Sequence, residues 1–111
     1  MAPYDAISHN SLSWVMREAG QTDEALEWAK FAVTHDPNMY KSYFRALREA
    51  YRAAGRWPEA VALGEAQVIS DPVHAKWWYE FLDHAYTATG QTEKARAAWK
   101  TALTLPDPPE P

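Results

Sequence analysis

The sequence predicts an all-α fold, a right-handed α-solenoid built from three helix–turn–helix units. Three observations predict it. One phrase recurs: Gly-Gln-Thr-Asp-Glu-Ala-Leu from Gly20, Gly-Arg-Trp-Pro-Glu-Ala-Val from Gly55 and Gly-Gln-Thr-Glu-Lys-Ala-Arg from Gly90, with the three glycines 35 residues apart. A spacing of roughly 20–50 residues is the mark of stacked repeats, in which each unit buries its apolar face only against a neighbour. Between the phrases the apolar residues follow the period of a helix, and each copy closes on a proline.

The first helix of each unit shows the apolar stripe. In the middle unit Phe44, Leu47, Ala50, Tyr51 and Ala54 fall on one side of a 3.6-residue helix, and in the third Tyr79, Leu82, Ala85 and Tyr86 repeat it. The first unit carries a thinner version in Leu12, Val15, Met16 and Ala19. Each of these helices is expected to end at its glycine, which takes the left-handed conformation that closes a helix. A second helix follows each glycine. Thr22 and Thr92 are expected N-caps, with Asp23, Glu24 and Glu93 at the positive end of the helix dipole. In the middle unit Trp57-Pro58-Glu59 serves instead, with proline in the first turn. Ala25, Ala60 and Ala95 come at equivalent places, where a small side chain lets the two helices of a hairpin approach. These second helices stop near Asp36-Pro37 and Asp71-Pro72, and the third near Leu105-Pro106-Asp107-Pro108. The units are therefore placed at about 4–37, 38–72 and 73–105, forming one domain over 1–105. The proline-rich tail 106–111 is expected to be disordered.

Composition narrows the function. With 111 residues there is room for one small domain. Six Trp and six Tyr must fill much of the interior or line a binding face. A net charge of −4 leaves no overall basic footprint, so no nucleic-acid partner is expected. The absence of Cys removes disulfides, thiol chemistry and thiolate metal sites. No apolar run reaches the roughly 20 residues of a membrane span. The start, Met-Ala-Pro-Tyr-Asp-Ala, does not read as a secretory signal, so the expectation is a cytoplasmic protein without a membrane partner.

In these residues the chain resembles the tetratricopeptide repeat family. The family pattern has a large aromatic, Leu and Tyr on the first helix, then Gly, Ala, an aromatic, a second Ala and a closing Pro. The middle unit matches through Phe44, Leu47, Tyr51, Gly55, Ala60 and Pro72, and the third through Tyr79, Leu82, Tyr86, Gly90, Ala95, Trp99 and Ala102. The first unit matches through Leu12, Gly20, Ala25, Ala32 and Pro37. The usual repeat is about 34 residues; the extra residue here falls in the turn between units, and His9 replaces the large aromatic. Where Leu26 and Val61 would pack onto a following unit, the third copy has Arg96, as a solvent-facing terminal unit requires. Trp99 stands where the earlier copies have Ala29 and Gly64, and is expected to cover the open end.

The resemblance implies a concave groove lined by the first helices. Its inward positions map to Ile7, Asn10, Trp14, Arg17 and Glu18, then Ser42, Arg45, Glu49 and Arg52, then Trp77, Glu80, His84 and Thr87. From these the candidate peptide-binding set is Asn10, Trp14, Arg17, Arg45, Glu49, Arg52, Trp77, Glu80 and His84, because Trp and Arg are the types most enriched at binding hot spots. The bland alternative is a solvated face, with Arg45–Glu49 and Glu80–His84 as ordinary pairs four residues apart and Trp77 packed between helices. Some members of the family grip the carboxylate end of chaperone tails with Lys, Asn, Asn, Lys and Arg. The matching positions here are Asn10, Trp14, Ala46, Trp77 and Phe81, which do not reproduce that clamp. Lys41, Arg45, Arg48, Arg52 and Arg56 form a basic stripe suited to an acidic segment.

His9, His35, His74 and His84 are scattered, with no pair at metal-ligand spacing and no nucleophile beside them, so neither a catalytic residue nor a cofactor or metal is expected. The expected function is a protein–protein interaction module that takes a protein or peptide in its groove. The alternative is a structural scaffold, a weak homo-oligomer through its terminal helices or an element docked on a larger assembly.

Overall fold

The computed structural model describes residues 22–36 and 41–108. Five α-helices and one short 3-10 helix account for the regular structure of those residues, and none of them is in a strand. They are α1 (Thr22–His35), α2 (Lys41–Ala54), α3 (Trp57–Ser70), the 3-10 turn Pro72–His74, α4 (Ala75–Ala88) and α5 (Thr92–Thr104). The sequence-predicted first helix with Leu12, Val15 and Met16, and the turn at Gly20, lie outside the described residues.

The chain divides into two units at Gly55. In the N-terminal one, α1 packs along α2. The buried residues of α1 are Ala25, Leu26, Ala29, Ala32 and Val33, a stripe at helical spacing. α2 answers with Tyr43, Phe44, Ala46, Leu47, Ala50 and Tyr51. α2 ends where Gly55 takes φ 68°, a conformation that would strain a side chain with a Cβ. The Asp36-Pro37 stop has a second role. The Asp36 carboxylate accepts a hydrogen bond of 3.0 Å from the Tyr43 hydroxyl, tying the end of α1 to the start of α2.

The C-terminal unit contains α3, the 3-10 turn, α4 and α5, with α4 packed against both α3 and α5. The same clasp returns 35 residues on with different donors. Asp71 accepts from Trp78 Nε1 at 3.2 Å and from His74 Nδ1 at 3.0 Å. His74 is buried, and its ring leans on Trp77 with centroids 5.4 Å apart. Trp78 in turn meets Phe81 edge to face at 5.6 Å, the arrangement favoured by ring quadrupoles. Between α4 and α5 the core joins Leu82, Tyr86, Ala95 and Ala98, with Val61, Val68 and Tyr79 packed at its margin. Ala95 is thus the small contact residue that the repeated phrase requires, and Ala60 is fully buried as well.

The helix starts differ in one respect from the expectation. Gln91, not Thr92, occupies the N-cap of α5, and its side chain turns back to donate to Thr89 Oγ1 at 2.8 Å. Thr22 is likewise already the first helical residue of α1. Pro58 lies in the first turn of α3 as expected. α4 closes through Thr89 and Gly90, whose φ of 77° repeats that of Gly55. Beyond α5, Lys76 Nζ donates to the Leu105 carbonyl at 3.3 Å and pairs with Asp107 at 3.4 Å, and Pro108 is buried.

α3 and α4 approach closely at Gly64. A Cβ added at Gly64 would stand 2.6 Å from Leu82 Cδ2 and 3.3 Å from Phe81 Cδ2. Leu82 and Phe81 are both buried, so neither has open space to retreat into. A helix-interior Gly costs about 1 kcal/mol relative to Ala; at this position the loss is offset by the close approach it permits. Gly64→Ala is therefore expected to lower the melting temperature, with a net loss of about 1–2 kcal/mol once overpacking is set against helix propensity. Thermal denaturation followed by circular dichroism checks it. An unchanged or raised melting temperature would mean that Leu82 moves aside at little expense.

Candidate functional site

α2 has two chemically opposed sides. Its six buried residues face the core, while Lys41, Ser42, Arg45, Arg52 and Ala53 are exposed and Arg48 and Glu49 half-buried. Of the candidate residues on this helix, Glu49 binds Arg52, with Oε2 2.6 Å from Nη2. That hydrogen bond and charge raise the pKa of the Arg52 guanidinium above its usual value. The Arg45–Glu49 pair of the alternative solvated face does not form; Glu49 turns toward the C-terminal end of the helix, where Arg52 lies three residues on. Arg45 is left exposed to solvent. Arg56, at the end of the stripe, bonds Glu59 through Nε at 2.7 Å and so belongs to the start of α3.

On α4 the three candidates differ. Trp77 is 4% exposed and lies beside His74, so its ring is part of the interior. Ser42, its counterpart one repeat earlier, is exposed. Glu80 is half-buried and His84 exposed. Asn10, Trp14 and Arg17 lie outside the described residues. Within each unit the fold therefore brings together Arg45, Glu49 and Arg52 on α2, and Glu80 and His84 on α4 one turn apart.

Two kinds of polar side-chain cluster were not singled out from the sequence. The sequence marks Asp36 and Asp71 only as helix stops. The missed signal was Tyr43 and Trp78, a ring donor seven residues after each Asp. The other is Tyr86, whose hydroxyl donates to Glu65 Oε2 at 2.5 Å and whose ring has the Lys94 ammonium 5.8 Å from its centre. Burial, and then the Glu65 carboxylate, push the Tyr86 phenol up to about 12.

Among the described residues, no three or more His, Cys, Asp or Glu side chains are grouped to hold a metal ion, and no helix is long and apolar enough to cross a membrane. The last helix carries unusual exposure. Trp99 is 46% and Leu103 62% exposed. Their counterparts Ala29, Val33 and Gly64 are buried, and Val68 is half-buried at the margin of the core. No protein-family model matches the chain, and no curated protein matches it at a significant level.

The Tyr86 shift sets a pH dependence. The folded phenol keeps its proton to about pH 12, whereas an unfolded one loses it near about pH 10. The folded state thus holds more protons across that interval, and stability falls as pH rises through it. Tyr86→Phe is expected to flatten this alkaline fall and to remove one step near pH 12 from the tyrosinate absorbance titration. A titration in which every tyrosine ionises together near pH 10, as ordinary phenols do, would count against the Glu65 contact.

Proposed function

We propose that the protein is a tetratricopeptide-like recognition module, a right-handed stack of three helix–turn–helix units that binds a peptide or protein segment along its first helices. Support for the repeat architecture comes from recurrence at one spacing. Gly55 and Gly90 both take positive φ, Asp36 and Asp71 both accept from an aromatic donor seven residues later, and the small residues Ala29 and Gly64 are both buried beside a following helix. Each of these is the same solution to the same local problem, as repeated units require.

The observation that carries the binding function is Arg45, an exposed guanidinium on a helix whose only carboxylate is committed to Arg52. Arg is a forked donor suited to carboxylates and is favoured at interfaces. With Trp77 buried, the accessible candidates among the described residues are Arg45 and Arg52 on α2 in one unit and Glu80 and His84 on α4 in the other. Arg45→Glu combined with Arg52→Glu, verified as folded, is expected to lose the peptides that wild type retains from a peptide array, at affinities near micromolar. Retention of every peptide at equal strength would refute the groove.

A second function has its own observation. The exposed Trp99 and Leu103 suit a scaffold that self-associates through α5. Light scattering across a dilution series separates the two. Under the recognition reading wild type stays monomeric; a concentration-dependent dimer that Trp99→Ser with Leu103→Ser abolishes would favour the scaffold.

A further inference from the structure

The cations of α2 are ordered. At about 100° per residue Lys41, Arg45, Arg48 and Arg52 fall within an arc of roughly 60°, on the side away from the buried stripe. Lys41, Arg45 and Arg52 are exposed and Arg48 is half-buried. Glu49 is the single carboxylate of the helix, and it is held by Arg52. The chain as a whole carries a net charge of −4, so this row is a local reversal of sign.

We infer that the row of Lys41, Arg45, Arg48 and Arg52 docks an acidic α-helix whose carboxylates recur at the same four- and three-residue steps. The inference rests on the recognition function above and names its ligand. Charge complementarity sets the sign of the partner, and spacing sets its shape. At 1.5 Å per residue the four cations stand at about 0, 6, 10.5 and 16.5 Å along the axis. A helix with Glu or Asp at steps of four, three and four repeats those heights. An extended chain presents same-side residues every ~6.8 Å and is about 3 Å out of step by the third cation. Flexible Lys and Arg stems absorb part of such a mismatch, but only the helix faces all four cations without it. Glu49 opposes the docked carboxylates and competes with them for Arg52. Removing its charge while keeping its shape frees Arg52 for the partner.

The test uses blocked, fluorescein-labelled peptides, so that no terminal carboxylate takes part. One is alanine-based with Glu at steps of four, three and four. A second has the same composition with Glu at alternate positions, and a third replaces Glu with Gln. An oligothymidylate of matching charge completes the set. Fluorescence anisotropy is expected to rank the helically spaced peptide first, with binding that weakens as salt rises. Lys41→Ala with Arg45→Ala should weaken it by roughly tenfold, since these exposed charges add modest terms. Glu49→Gln should tighten it several-fold, an effect that a purely structural role for this helix would not produce. Equal affinity for both Glu spacings, indifference to the three substitutions, or tighter binding of the oligonucleotide would overturn the inference. If the helically spaced peptide fails while the peptide array yields other ligands that depend on Arg45 and Arg52, this inference falls and the recognition function stands. A blank array would remove both.

Discussion

At Gly64 the C-terminal unit leaves no room for a side chain, since an added Cβ would stand 2.6 Å from Leu82 Cδ2. With no side chain of its own, that residue lets α3 close on Leu82 and Phe81. Phe81 meets Trp78 edge to face on the same helix, and Trp78 donates to the Asp71 carboxylate at the end of α3. Leu82 continues into the cluster with Tyr86, Ala95 and Ala98 that joins α4 to α5. One missing methyl group therefore lets α3 approach side chains of α4 that also pack against α5. Packing at interior density transmits such a constraint, because a side chain without space to retreat cannot absorb a displacement.

The second organising device is polar. Asp36 follows the last residue of α1 and Asp71 caps the end of α3, so their side chains can reach a donor on the next helix. The clasp fixes where the following helix begins, and a buried polar ring edge gains its required partner. Tyr43 supplies the donor in one copy and Trp78 with His74 in the other. The chemistry is retained while the residue type changes, which is how a sequence repeat can be faithful in geometry and loose in letters.

The proposed recognition function depends on what this framework leaves outside. Six residues of α2 are committed to the interior, and its remaining surface is dominated by cations with one engaged carboxylate. The proposed partner chemistry follows from that imbalance rather than from a cavity. At α5 the framework runs out of neighbours among the described residues. Arg96 is exposed where Leu26 is buried and Val61 half-buried, while Trp99 and Leu103 remain exposed. The polar substitution fits a terminal face, and the retained rings and aliphatic groups leave it sticky enough to sustain the scaffold alternative.

Helical periodicity, the left-handed glycines and the proline stops were legible in the chain because each depends on local backbone geometry, and the described helices fall where those signals place them. Ala95 was legible as a recurring small residue and Gly64 as the small counterpart of Trp99, although the close approach at Gly64 was not. Arg45 and Glu49 are four residues apart, ideal for pairing on paper, yet Glu49 chooses Arg52 because rotamers on a crowded helix surface are settled by all neighbours together. Trp77 could be placed on a helix face from its position, but whether that face was solvent or interior depended on His74 beside it. The Tyr86–Glu65 bond joins residues 21 apart on different helices, and no local pattern encodes it. Sequence alone determined where the chain turns and which residues are apolar, since those are properties of neighbouring residues. Tertiary structure decided which charges are paired and which rings are buried, since those are settled by groups that meet only after the helices pack.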